Sequence, residues 1–299
     1  MIQVNNVTKK FGSFTALNNM SCKISDGCIY GLIGSNGAGK STFLRLITGV
    51  YNPDEGQVLL DGEPVYENPA AKAKIAYVPD ELFFLPGSSL NRMAKLYAAV
   101  FPDFSFERFQ ELIKLFGLSP KAPVNTFSKG MRRQGATLLA LACRPKYIFF
   151  DETFDGLDPV MRNVVKQLIT TDVLERQATA IITSHSLREL EDTCDQLSLL
   201  HKGGIIFESD IQDLKTTLFK LQVGFNKPFS REMFSALDIL SYSARGSVAT
   251  FIVRGDREKT VELIRAHSPV LLDVLPLTLE EVFIYEMEAL GYCFKDMIS

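Results

Sequence analysis

The stretch Gly34-Ser35-Asn36-Gly37-Ala38-Gly39-Lys40-Ser41-Thr42 lies between a short apolar run, Cys28-Ile29-Tyr30-Gly31-Leu32-Ile33, and an amphipathic one, Phe43-Leu44-Arg45-Leu46-Ile47. Glycines at this spacing let the backbone wrap a polyphosphate with successive N–H groups pointing inward. A helix that follows would present the positive end of its dipole to the same anion. Lys40 is then placed to reach β- and γ-phosphates, and the Ser41 hydroxyl suits a magnesium ion. Strand before and helix after is the setting in which such a loop binds phosphate rather than merely turning the chain.

A second group ends the run Tyr147-Ile148-Phe149-Phe150-Asp151-Glu152. Four apolar residues closing on two carboxylates describe a buried strand whose carboxyl end opens where ligands collect in parallel sheets. Asp151 can hold magnesium directly or through water, and Glu152 can polarise the water that attacks a γ-phosphate. Further on, Ala178-Thr179-Ala180-Ile181-Ile182-Thr183-Ser184-His185 is another strand-like run, and its closing His185 can hydrogen-bond the same phosphate. Ser128, in Phe127-Ser128-Lys129-Gly130-Met131-Arg132-Arg133-Gln134, precedes the apolar stretch Ala136–Ala142, where an N-cap belongs. With Gly130 allowing close approach, it forms a second anion site. Each feature also has a plain structural reading, as a solvated strand edge, a helix cap or a packed histidine; the phosphate loop upstream favours the chemical one.

These groups need a sheet to hold them. Short β-rich stretches with turns at Phe11-Gly12-Ser13 and Ser25-Asp26-Gly27 fill the first thirty or so residues, and strand-like runs recur at Gln57–Leu60 and Ile75–Val78. From about 85 to 143 the periodicity turns helical, as in Phe106–Phe116 with Phe109, Leu112, Ile113 and Phe116 on one face, which places a helical subdomain between two nucleotide-handling strands. Strand and helix alternate again to about residue 218, so the class is α/β with a mostly parallel sheet. Beyond it the order changes. Strands are expected at Lys220–Phe225, Ile239–Ala244, Val248–Arg254 and Val270–Leu275, with helices at Ser230–Leu237 and Asp256–His267 and a terminal helix opened by Thr278-Leu279-Glu280-Glu281. That βαββαβ order predicts a small α+β, ferredoxin-like domain over 219–299, after the α/β domain with the phosphate loop over 1–218. Its plain role is structural; the sharper one is dimer support or regulation.

Composition narrows the class. A chain of 299 residues can bury a sizeable core, and its net charge of −3 opposes a general nucleic-acid binder. The five cysteines, Cys22, Cys28, Cys143, Cys194 and Cys293, are scattered without metal spacing, which favours a reducing cytoplasmic setting. No apolar run reaches the roughly 18 residues of a membrane span, and the N-terminus lacks a signal-peptide pattern.

In this order the motifs resemble the ATP-binding-cassette (ABC) family, specifically the nucleotide-binding subunit of an ABC transporter, over roughly residues 1–218. Gly34–Thr42 looks like Walker A, Ser128–Met131 like the signature motif, Tyr147–Glu152 like Walker B, Asp155-Gly156-Leu157-Asp158-Pro159 like the D-loop, and His185 like the switch histidine. Phe11 occupies the place of the aromatic that stacks on adenine. The resemblance implies a P-loop ATPase fold and binding of ATP with Mg2+. It implies a head-to-tail dimer, homomeric or heteromeric, in which each ATP lies between the P-loop of one subunit and the Ser128–Met131 segment of the other. It also implies a separately encoded transmembrane permease that holds the chain at the cytoplasmic face of the membrane.

Three positions depart from the family pattern. The signature reads Ser-Lys-Gly-Met, which looks like a branch that includes many exporters. Asp80 follows Tyr77-Val78-Pro79 where the family places a glutamine, and its carboxylate only accepts hydrogen bonds while adding a negative charge beside the phosphates. Thr153 replaces a frequent proline, a change in loop stiffness more than in chemistry. Two other classes stand beside the transporter ATPase. One is a soluble cassette ATPase acting on ribosomes or DNA, against which the single cassette and lack of a coiled-coil insertion count. The other is a nucleotide-gated regulatory module, which Asp80 and the extra domain favour.

Overall fold

Two long strands open the chain, β1 (Ile2–Phe11) and β2 (Phe14–Ile24), paired antiparallel about the Gly12-Ser13 turn. After β3 (Ile29–Ile33) and α1 (Lys40–Ile47) come β4 (Glu55–Leu60), β5 (Glu63–Pro64), α2 (Pro69–Lys72) and β6 (Ile75–Val78). A helical stretch follows, α3 (Leu90–Val100), α4 (Phe106–Phe116) and α5 (Lys129–Ala142), then β7 (Tyr147–Asp151), α6 (Pro159–Arg176), β8 (Thr179–Ser184), α7 (Leu187–Glu191), β9 (Gln196–His201) and β10 (Gly204–Asp210). The last elements are β11 (Leu218–Gly224), β12 (Asp238–Arg245), β13 (Val248–Arg254), α8 (Arg257–Arg265), β14 (Leu271–Leu275) and α9 (Leu279–Ala289). This is a computed structural model, and it describes residues 1–213 and 218–289; Cys293 lies outside them.

Two sheets build the first unit, which runs from Met1 to Glu208. An antiparallel sheet has the order β2-β1-β4-β5, and a six-stranded sheet the order β10-β9-β3-β8-β7-β6. In the second sheet β3 pairs parallel with β8 and β9, and β7 parallel with β8 and β6. All of β3, β7 and β8 is buried, so these strands read as continuous apolar runs. Parallel pairing also sends their carboxyl ends to one edge, and the loops that carry chemistry leave from that edge. Phe43, Leu44, Leu46 and Ile47 of α1 pack into the core with Tyr147 and Phe149 of β7.

The helices α3 to α5 fill the expected insert. Phe109, Leu112, Ile113 and Phe116 of α4 are its buried residues, as the spacing predicts. Ser105 caps α4 through the Arg108 amide, and Gly117 closes it at φ 63°, a left-handed turn that glycine adopts without strain.

The second unit begins at Ser209, about ten residues ahead of the boundary read from sequence and within β10, the edge strand of the six-stranded sheet. Its sheet has the order β12-β13-β11-β14 with every neighbouring pair antiparallel, which is the ferredoxin-like arrangement. The helix expected over Ser230–Leu237 is a single 3-10 turn, Arg231–Phe234, in which Phe234 alone is buried. Four residues with one core contact cannot sustain an α-helix. Thr278 and Glu281 form a reciprocal capping box at the start of α9, Thr278 N donating to Glu281 Oε2 at 2.9 Å and Glu281 N to Thr278 Oγ1 at 3.2 Å. No helix among the described residues is long and apolar enough to cross a membrane.

Candidate functional site

The loop after β3 turns into α1 at Gly39, whose φ of 111° and close approach to the Ala16 carbonyl (2.8 Å from an added Cβ) admit no side chain. Ser35, Asn36, Gly37, Gly39, Lys40, Ser41 and Thr42 line one cavity together with Glu152. Gly34 and Ala38 lie beneath it, buried against the end of β9, so their part is to let the loop sit close to the sheet. Lys40 is 6 % exposed. Its Nζ donates to the Gly34 carbonyl at 2.7 Å and the Ser35 carbonyl at 3.3 Å and pairs with Glu152 Oε1 at 3.0 Å. A cation this buried needs such partners, and a phosphate would be a further one.

Asp151 ends β7 and is 1 % exposed. Thr183 Oγ1 of β8, its register partner, donates to Asp151 Oδ1 at 2.7 Å, and Tyr77 OH of β6 donates to Oδ2 at 3.3 Å. Burial, with the Asp151 charge beside it, pushes the Tyr77 phenol well above its usual range, so Tyr77 remains a donor. Thr183 Oγ1 also accepts from the Glu152 amide at 3.1 Å. One threonine thus orients both residues of the acidic pair. Ser41 lines the cavity and Asp151 is buried at the end of β7; they offer hydroxyl and carboxylate oxygen, the hard donors that magnesium takes.

Glu152 leaves the strand with φ 49°, a left-handed backbone that a glutamate rarely adopts. The turn aims its carboxylate between Lys40 and His185. Oε1 faces Lys40, and Oε2 lies 2.9 Å from His185 Nδ1, just past the end of β8. The hydrogen bond to Glu152 raises the His185 pKa above 6.5, with the Glu152, Asp155 and Glu189 charges adding to it against partial burial. The imidazolium therefore persists to higher pH than a free histidine would.

Ser128 is the N-cap of α5, its Oγ accepting from Met131 N at 3.2 Å. Gly130 approaches the carbonyl of Gly156, in the loop after Glu152, so closely that an added Cβ would stand 2.9 Å from it. Neither Ser128 nor Gly130 lines the P-loop cavity of its own chain. Phe11 stands edge-on to Tyr51 with centroids 5.5 Å apart, while Phe14, its partner across the hairpin turn, lines the P-loop cavity.

The sequence reading missed Thr183, Tyr77, Phe14 and Arg133. Thr183 carried a usable signal, a hydroxyl two residues before His185 in a run otherwise suited to full burial. Arg133, whose Nη2 donates to Asp80 Oδ1 at 2.8 Å, carried none, because its partner lies 53 residues earlier.

Residues 17–155 match the family model described as ABC transporter. The chain is 30% identical over 284 residues to the ABC transporter ATP-binding protein YtrB of Bacillus subtilis (strain 168), across 95% of this chain and 97% of that protein. To the bacitracin transport ATP-binding protein BcrA of Bacillus licheniformis it is 27% identical over 292 residues, 94% of each. Among solved structures, the dimeric structure of MJ0796, a bacterial ABC transporter cassette, is similar with a TM-score of 0.64 at 25% identity, over 71% of this chain and 99% of that one.

Proposed function

This chain belongs to the ATP-binding proteins of ABC transporters and is an ATPase of that family, and from that premise we propose that it drives export through ATP-dependent closure of a head-to-tail dimer. The observation that carries the reading is Glu152 suspended between Lys40 at 3.0 Å and His185 at 2.9 Å, at the mouth of a glycine-rich phosphate cradle.

ATP phosphates would lie on the loop amides and the N-terminal end of α1. Lys40 then exchanges Glu152 for phosphate oxygens, and the Glu152 Oε1 so released accepts a hydrogen bond from the attacking water. His185, oriented by its hydrogen bond with Glu152, donates to the γ-phosphate and stabilises the charge that develops there. Ser41 and Asp151 would hold a magnesium ion, which would supply positive charge to offset the phosphate negative charge. Thr183 fixes the direction of Asp151 and the backbone of Glu152, so little reorganisation is needed when charge moves.

The placement of Ser128 and Gly130 away from their own chain's cavity supports a partner-supplied role, in which their helix end meets the γ-phosphate held by a second ATPase subunit, identical or not. A ligand that binds the closed pair better than the open one shifts the population to closed, and hydrolysis reverses it. The motion would be delivered to a separately encoded permease at the cytoplasmic face of the membrane. The Ser-Lys-Gly-Met signature supports export as the direction, and a role in transport is in line with the relative BcrA, a bacitracin transport ATP-binding protein.

The test is the mass of the Glu152→Gln protein by light scattering, with and without Mg-ATP. A monomer that becomes a dimer only with Mg-ATP, with turnover reduced at least about a hundredfold, is the expected result. An unchanged mass with binding confirmed, or wild-type turnover, would sink the closure mechanism or the role of Glu152 respectively.

A further inference from the structure

Resting on the nucleotide reading of the P-loop cavity, we infer that Arg133 is a positioning residue. It supplies the counter-charge for Asp80 and ties the rim of the ATP site to the first turns of α5, so that ATP affinity depends on this pair.

Asp80 lines the same cavity as Lys40, Ser41 and Glu152, and its side chain is 58% exposed. A carboxylate there can accept hydrogen bonds but give none, and its charge opposes an incoming polyphosphate. Arg133 answers that charge from inside the protein. Its side chain is 1% exposed, Nη2 donates to Asp80 Oδ1 at 2.8 Å, and Nη1 donates to the Pro79 carbonyl at 3.0 Å. The planar fork therefore grips two successive residues leaving β6, one through its side chain and one through its backbone.

Arg133 Nε, also buried, has no hydrogen-bond partner. The guanidinium thus depends on Asp80 and Pro79 for its satisfaction, and loss of Asp80 would leave a buried cation on a single carbonyl. Arg133 lies on α5 little more than one helical turn beyond Ser128. Any displacement of Asp80 by a nucleotide therefore pulls on the helix that presents Ser128 and Gly130. An aspartate at the rim and an arginine sealed beneath it form one unit, neither of which is explained alone.

The test is calorimetric titration of Mg-ATP into four proteins, all carrying Glu152→Gln to block turnover. They are the parent, Arg133→Gln, Asp80→Asn and the Arg133→Gln/Asp80→Asn double variant. Arg133→Gln should weaken affinity at least about tenfold, because the Asp80 charge is left uncompensated. Adding Asp80→Asn should restore affinity to within about threefold of the parent, a coupling that only an interacting pair produces. Affinity unchanged in Arg133→Gln overturns the inference, and so does a loss that Asp80→Asn does not repair, since that would mark Arg133 as a packing residue only. If Arg133→Gln lacks a cooperative melting transition, Arg133→Met, an unbranched apolar chain for the buried site, replaces it in both arms. Failure of the parent itself to bind Mg-ATP would overturn the nucleotide reading, and this inference with it.

Discussion

Thr183 does more for the site than its size suggests. Its single hydroxyl donates a hydrogen bond to Asp151 at 2.7 Å and accepts one from the Glu152 amide at 3.1 Å, and it is wholly buried. Thr183→Val keeps the shape and removes both bonds, leaving a buried carboxylate with Tyr77 as its remaining side-chain donor. The expected loss of stability is about 1–3 kcal/mol, read from urea unfolding. Turnover should fall at least about tenfold with ATP affinity nearly unchanged, because the groups disturbed act on charge that develops during the reaction rather than on the phosphates already bound. A variant with parental turnover would show that Asp151 and Glu152 hold their geometry without it. The Walker-type residues were legible because their chemistry demands fixed spacing along the chain: Gly34 to Thr42 are contiguous, and Asp151 and Glu152 adjoin. The residues that orient them come from other strands, at distances in sequence set only by the fold, and no local pattern announces them.

At the scale of elements, the antiparallel and parallel sheets are joined at Asp61, in the turn between β4 and β5. Its carboxylate accepts from Lys146 Nζ at 2.7 Å, just before β7, from the OH of Tyr147, the first residue of β7, at 2.6 Å, and from Lys74 Nζ at 2.8 Å. Burial works against ionisation, yet hydrogen bonds from Lys146, Lys74 and Tyr147 hold the Asp61 carboxyl far below its ordinary 3.8. A depressed carboxylate pKa contributes stability above the unfolded value and loses it as pH falls toward the folded one. Asp61→Asn should therefore cost about 1–3 kcal/mol at neutral pH, and the gap from wild type should close progressively below about pH 4. Denaturation curves at a series of pH values measure it; a gap independent of pH would assign the loss to packing. Elements with strong periodicity were readable, as α4 shows. The long β1 was not, because it breaks register between Val4 and Val7 and again near Lys9, and the alternation of buried and exposed residues breaks with it. The short turn at Arg231–Phe234 looked helical because one heptad's worth of residues cannot distinguish a helix from a capped turn.

Among the described residues, one hydrophobic core gathers around Phe43, Tyr147 and Phe149 and another around Leu221, Phe234 and Phe251. Each belongs to one unit, so each can be weakened separately. Phe251 is fully buried and meets Phe234 edge-on with centroids 4.6 Å apart. Phe251→Ala should destabilise the C-terminal unit by about 3–5 kcal/mol, splitting or shifting one calorimetric transition while Mg-ATP affinity stays at its parental value. A matching loss of ATP affinity would show that nucleotide binding requires the second unit intact. The change in strand and helix alternation that suggested two domains falls near residue 218, and the compact units of the structure divide between Glu208 and Ser209, within β10.

The carboxylate at the rim of the P-loop cavity also bears on pharmacology. Compounds that compete with a nucleotide usually suffer from recognising features shared by every phosphate-binding loop. Asp80 is exposed beside that loop, and Arg133 engages its Oδ1 from within. An inhibitor scaffold that projects an ammonium group toward residue 80 would meet a charged acceptor here and a neutral amide in cassettes that carry glutamine. A hydrogen bond to a charged group is worth about 1.5–3 kcal/mol, enough to discriminate between otherwise similar ATPases in one cell.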